Sequence, residues 1–190
     1  MHPPIPDLTE LIRLFYETPA DLGDFAPVAA DELPDPYRGL LAHDQHMTVT
    51  VERFHGCLVD VRVIEYKSSP PHYARKILLT RQSDGAVVLF GIVRIDLDQV
   101  DPATRDEILA RRKPLGRILI EHNVLREVEL VDLWRVTPAA ELRQLFAGSE
   151  SAQTTSASTY GRTALIHCNG RPAVELLEIV APAESATSLS

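Results

Sequence analysis

The hydrophobic period changes several times along the chain, and each change predicts an element. Leu8, Leu11, Ile12 and Phe15 recur at helical spacing and predict a short amphipathic helix over 8–16. Prolines and aspartates as far as Pro36 predict irregular surface structure. Thr48–Val51 and Leu58–Ile64 alternate with period two on either side of Phe54-His55-Gly56. That pattern predicts a β-hairpin burying Val59, Val61 and Val63. A second hairpin is predicted from Arg75–Arg81 and Ala86–Ile95 about the turn Ser83-Asp84-Gly85. Asp101 before Pro102 is an N-cap followed by proline in the first turn, opening a helix that reaches Arg112 and stops near Pro114. Arg126–Val136 then reads as a strand and Pro138–Phe146 as a helix. Tyr160–Cys168, the Asn169-Gly170 turn and Pro172–Ala181 make the last hairpin. Residues 148–159, rich in Ser, Thr and Ala without an apolar period, predict a mobile loop or lid, and 183–190 a disordered tail.

Strands joined by hairpins imply an antiparallel sheet. The expectation is an α+β fold: one domain over 1–190, with a single sheet of about six strands and helices packed on it. Charge narrows the function. Against 19 basic residues stand 27 acidic ones, a net charge of −8, so the chain lacks the basic face that phosphate backbones require and no nucleic-acid partner is expected. A few local arginines can still hold a small anion inside a pocket. No apolar run approaches the roughly 20 residues of a membrane span, and the start lacks signal-peptide order, so a cytoplasmic protein without a membrane partner is expected. The two cysteines, Cys57 and Cys168, cannot build a disulfide framework or a four-ligand zinc site, and neither metal nor cofactor is expected.

Several tempting signals have bland readings. His43 and His46 stand at metal-like spacing without an evident third ligand. His167 and Cys168 are neighbours on a strand and so point to opposite faces. Gly148–Ser151 lacks the strand-to-helix elbow of a serine hydrolase, and Arg111–Lys113 reads as a solvated helix end. Two charges resist such readings. Arg75 shares strand parity with Tyr73, Ile77 and Leu79, and Glu178 with Val174, Leu176 and Val180. Charges on apolar faces are costly unless paired. They either satisfy each other or meet a polar ligand inside an apolar pocket. Glu175 falls on the opposite face with Leu177 and Ile179, and parity alone does not choose between the two glutamates.

His72–Leu79, Arg112–Leu119, Tyr160–Thr163, Asn169–Pro172 and Glu178–Pro182 occur in an order that resembles chorismate pyruvate-lyase, from about Asp44 to Pro182. The likeness is closest to the branch supplying 4-hydroxybenzoate in actinobacteria and related bacteria. The resemblance implies a six-stranded antiparallel sheet with helices on one side and the ligand sealed inside. It also implies cofactor-free elimination of pyruvate from chorismate to leave 4-hydroxybenzoate. By the same resemblance Arg75 clamps a substrate carboxylate and Leu115, in Pro114–Arg117, contacts the ligand through its backbone. Met47 is a further contact. Glu178 rather than Glu175 holds the C4 hydroxyl, and Arg75 and Glu178 form the catalytic pair. The chain departs from the family before Met47, in 148–159, and in a Gly170–Glu178 spacing one residue longer, which predicts a bulge.

The rival reading is a non-catalytic small-molecule-binding domain. The effector-sensing domain of GntR-type regulators resembles the same fold, though it normally follows a basic winged-helix segment, whereas the stretch before Asp44 is acidic and proline-rich. The expected partners are chorismate and 4-hydroxybenzoate, with the chain a monomer or small homo-oligomer.

Overall fold

Every strand pairs antiparallel with its neighbours in the computed structural model, which describes residues 5–147 and 158–182. The strands are β1 (Gly23–Pro27), β2 (Val59–Ser69), β3 (His72–Arg81), β4 (Val87–Asp96), β5 (Arg126–Pro138), β6 (Thr159–Cys168) and β7 (Arg171–Val180). They form one seven-stranded sheet in the order β1-β5-β6-β7-β4-β3-β2. The helices are α1 (Leu8–Arg13), α2 (Pro19–Leu22), α3 (Tyr37–Leu41), α4 (Met47–His55), α5 (Pro102–Ala110), α6 (Leu115–Glu121) and α7 (Ala140–Phe146). The expected lid over 148–159 lies outside the described residues as far as 157, and its last residue, Thr159, begins β6; the expected tail over 183–190 also lies outside them.

Three expectations are corrected. Thr48–Val51 is not a strand but the first half of α4, which ends at Gly56 in the left-handed conformation (φ +65°) that favours glycine. Its β-branched residues suit a strand locally, but burying Met47, Thr48, Thr50 and Val51 on one helical face overrides that preference. The hairpin partner of β2 is therefore β3. The segment read as irregular contains β1, which pairs with the far end of β5 and raises the strand count to seven. The helices also cover both faces of the sheet. α1, α2 and α7 bury Leu11, Ile12, Leu22, Leu142 and Phe146 against Leu78, Phe90, Ile92 and Leu177 on one side.

On the other side two apolar clusters lie next to each other. One joins α5 and α6, through Ile108, Leu115, Ile118 and Leu119, to Val93, Ala164, Ile166 and Leu176. The second joins α3 and α4, through Leu40, Leu41, Met47 and Val51, to Ile77, Leu79, Leu89 and Val180. A cavity opens at the boundary between them. The long Gly170–Glu178 spacing has a structural counterpart: Ile166 pairs with Val174 and His167 with Pro172, so Ala173 is the extra residue of a bulge.

Candidate functional site

Strand parity carries Arg75, Glu178 and a second arginine, Arg162, to the same face of the sheet. The row across the strands runs Ile77, Gly91, Glu178, Arg162, with Arg75 one row away opposite Val93. These side chains floor a cavity of about 40 Å³, room for a few water molecules. Its roof is the start of α4, His46–Thr48, and the start of α6, Pro114–Gly116. The two roof segments touch, since a Cβ on Gly116 would lie 3.0 Å from Thr48 Oγ1. An ion pair between Arg117 of α6 and Glu52 of α4 links the same helices. All four residues expected at the site, Met47, Arg75, Leu115 and Glu178, line this one cavity. Glu175 lies on the opposite face, where both its carboxylate oxygens accept from Arg94, at 2.5 and 2.7 Å.

Arg75 and Glu178 do not satisfy each other. Arg75 is fully buried, yet its Nε and Nη1 find no hydrogen-bond partner among the described residues. Burial pulls the guanidinium below its ordinary value, with Tyr73 opposing. An arginine keeps its proton under any ordinary condition, so this is a buried cation with donors unspent. Tyr73, on the same face of β3, likewise has an unpartnered buried hydroxyl.

Glu178 instead belongs to Arg162, a residue the sequence reading passed over. Arg162 is fully buried and its Nε donates to Glu178 Oε2 at 2.8 Å. Its Nη1 donates to the His43 carbonyl at 2.9 Å and its Nη2 to the Gln45 carbonyl at 3.0 Å. Arg162 therefore ties the irregular 43–46 segment, which leads into the roof, to the floor. The signal was available, because Arg162 alternates with Tyr160, Ala164 and Ile166 as Arg75 does with its neighbours.

The histidine pair is structural. The His43 ring accepts from the Gln45 backbone N–H at Nδ1 (3.1 Å), so its Nε2 carries the proton and donates to the Leu40 carbonyl (2.7 Å). His46 Nε2 accepts from Arg126 Nε at 2.7 Å. Burial, then the charges of Arg126 and Arg162, lower His46 to about 4, so the ring is neutral near pH 7. Cys168 is buried, with its thiol pushed up to about 11 by burial, which leaves it a poor nucleophile. Among the described residues no group of three His, Cys, Asp or Glu side chains could hold a metal ion, and no helix is long and apolar enough to cross a membrane.

A scan against protein-family models finds no match, and neither does a search of curated proteins. Among solved structures the chain is similar to PhnF from Mycobacterium smegmatis, at 10% identity and a TM-score of 0.49, over 74% of this chain and 65% of that one. The chain thus spans slightly under two thirds of that protein. The effector domain of PhnF alone gives 11% identity and 0.48, over 72% of this chain and 88% of the domain. A GntR-family transcriptional regulator from Bacillus cereus gives 12% and 0.42, over 70% of this chain and 99% of that one. At such identities these likenesses concern the course of the chain alone.

The expectation of an enzyme finds no support among them. The solved structures with which the chain shares its course are regulators and effector domains, and none of the three is a lyase. The reading as a chorismate pyruvate-lyase, with Arg75 and Glu178 as a catalytic pair, is withdrawn. The site gives a physical reason as well. The carboxylate expected to take the C4 proton is engaged instead by Arg162, whose Nε donates to Glu178 Oε2 at 2.8 Å.

Proposed function

We propose that the chain is a small-molecule-binding domain whose cavity receives a small organic acid without transforming it. One observation carries this reading: a fully buried guanidinium with two free N–H groups borders an otherwise largely apolar cavity. A buried cation without an anion is expensive, and a ligand carboxylate accepting from the guanidinium relieves it. Met47 and Leu115 then contact the body of the ligand. The oxygen of Glu178 that Arg162 does not engage accepts from a hydroxyl or amine at its far end. 4-Hydroxybenzoate and chorismate have this chemistry and are the natural probes. A cavity of about 40 Å³ is far below the roughly 300 Å³ of ordinary ligand pockets, so binding requires the roof at 46–48 and 114–116 to lift.

The test is titration of the purified chain with 4-hydroxybenzoate and with chorismate, followed by calorimetry and by pyruvate release. Binding of one or both without pyruvate is expected, with affinity lost in Arg75→Ala. Equal affinity in Arg75→Ala refutes the proposal, and so does steady pyruvate release from chorismate.

A further inference from the structure

We infer that the free edge of β2 pairs antiparallel with β2 of a second copy of the chain, in one register, joining the two sheets into one. The inference is independent of what the cavity binds. The two edges of the sheet differ. β1 is five residues long and ends in Pro27, a short, proline-bearing edge of the kind that resists pairing. β2 runs for eleven residues and pairs with β3 on its inner side. Leu58, Ile64 and Tyr66, just before this strand and within it, are 49, 40 and 51% exposed. Apolar surface gathered in this way marks contact with a partner.

Backbone direction, side-chain face and charge select the same register. The Gln82 N–H donates to the Leu58 carbonyl at 2.9 Å. Leu58, Asp60 and Arg62 therefore turn their backbone polar groups toward β3, and Val59, Val61 and Val63 turn theirs to the open edge. The Val59 N–H agrees, since it donates away from β3 to Glu52 Oε1 at 3.1 Å. Ile64 is the extra residue of a bulge, so beyond it the alternation shifts by one and Tyr66 and Ser68 face the edge. The bulge also gathers four charges on one face: Asp60 and Arg62 pair with Thr80 and Leu78 of β3, and Glu65 and Lys67 with Lys76 and Ala74. Their signs alternate along the strand, negative first. Laid antiparallel on its own copy, the series meets its complement: Arg62 stands opposite Glu65 and Asp60 opposite Lys67, each pair occurring twice. Val61 then faces Tyr66, both with their backbone groups at the edge. A slip of one residue opposes the wrong faces. A slip of two sets Arg62 against Lys67 or Asp60 against Glu65, like charges directly opposed. Among the described residues Asp60, Arg62 and Lys67 join no ion pair, and Glu65, with its side chain 44% exposed, reaches Lys76 only at 3.5 Å. Charges and a bulge also keep an edge from pairing indiscriminately, and alternating sign leaves it open to its own copy.

Sedimentation equilibrium of the purified chain over a hundredfold range of concentration, without ligand, should show the 21.1 kDa chain doubling in mass. Arg62→Glu opposes like charges twice and should weaken dimerisation at least tenfold with no change in melting temperature. Glu65→Arg does the same from the other side. An equal mixture of these two variants restores both central pairs and should dimerise at least tenfold more tightly than either variant alone. Asp60→Lys and Lys67→Asp repeat the test at the outer pairs, which keeps it decisive if Glu65→Arg folds poorly beside Lys76. A wild-type chain that stays monomeric throughout overturns the inference, and so does a dimer as tight in Arg62→Glu as in wild type. Mixtures no tighter than their components overturn the register and the inference with it.

Discussion

Exchanging each of the two buried arginines for methionine should change stability in opposite directions. Arg75 holds two buried N–H groups without partners, and an unsatisfied buried donor costs about 1–3 kcal/mol, more when charged. Replacing the arginine with an apolar side chain of similar length removes that penalty and should stabilise by about 1–3 kcal/mol. For a domain of this size that raises the melting temperature by about 2–4 °C per kcal/mol. Arg162 is equally buried but bonds to Glu178 and to two carbonyls of the 43–46 segment. Arg162→Met strands the Glu178 carboxylate and should destabilise by about 3–5 kcal/mol. Thermal and denaturant unfolding of both variants, without ligand, measures the difference. A saturating probe acid at 100 times its dissociation constant should add about 2.7 kcal/mol to wild type and nothing to Arg75→Met. If Arg75→Met destabilises the free protein as much as Arg162→Met does, Arg75 is a structural group and the ligand argument collapses.

Two further outcomes test the surrounding structure. Asp101 caps α5 by accepting from the Ala103 and Thr104 backbone N–H groups, and Asp101→Ala should cost about 1 kcal/mol in urea unfolding. The Thr104 hydroxyl and backbone lower the Asp101 carboxyl, so the capping contribution is present above the ordinary carboxylate value and fades as pH falls through the lower folded one; an unchanged acid limb in the alanine variant contradicts this. His46, lowered to about 4 between Arg126 and Arg162, is neutral when folded but takes a proton when unfolded below 6.5. Its contribution to stability therefore declines as pH falls from about 6.5 to about 4. His46→Gln keeps an acceptor for Arg126 but does not titrate, so its melting temperature should vary less with pH across that window. A residual slope is expected from His43, which is lowered as well, but a slope as steep as wild type rejects the assignment.

Local pattern made some elements legible and hid others for identifiable reasons. β3 with β4 and β6 with β7 were readable because alternation and turn chemistry agree: Gly85, Asn169 and Gly170 all have positive φ where the turns need it. α4 was not, because Thr48-Val49-Thr50-Val51 has strand propensity and only burial against the sheet makes it helical. β1 was hidden by its shortness and by its partner, more than a hundred residues away on β5. At the site, parity exposed Arg75 and Glu178 as charges on an apolar face. It could not say which was satisfied, since the partner of Glu178 comes from β6 and the other partners of Arg162 come from a segment without periodicity. Arg162 obeyed the same parity rule and needed only the same question.

The cavity lies where the α3–α4 cluster meets the α5–α6 cluster, and that position has a consequence for cooperativity. Empty, the two clusters meet across a void, and the 43–46 segment is held chiefly by Arg162 and Arg126. Amides of α3 and α4 should then exchange with solvent through an opening that leaves α5 and α6 closed. An occupant that touches Met47 from one cluster and Leu115 from the other merges the two into a single exchange unit. Protection of α3 and α4 should rise to the level of the sheet, carrying occupancy of a buried site to the surface of the domain as rigidity.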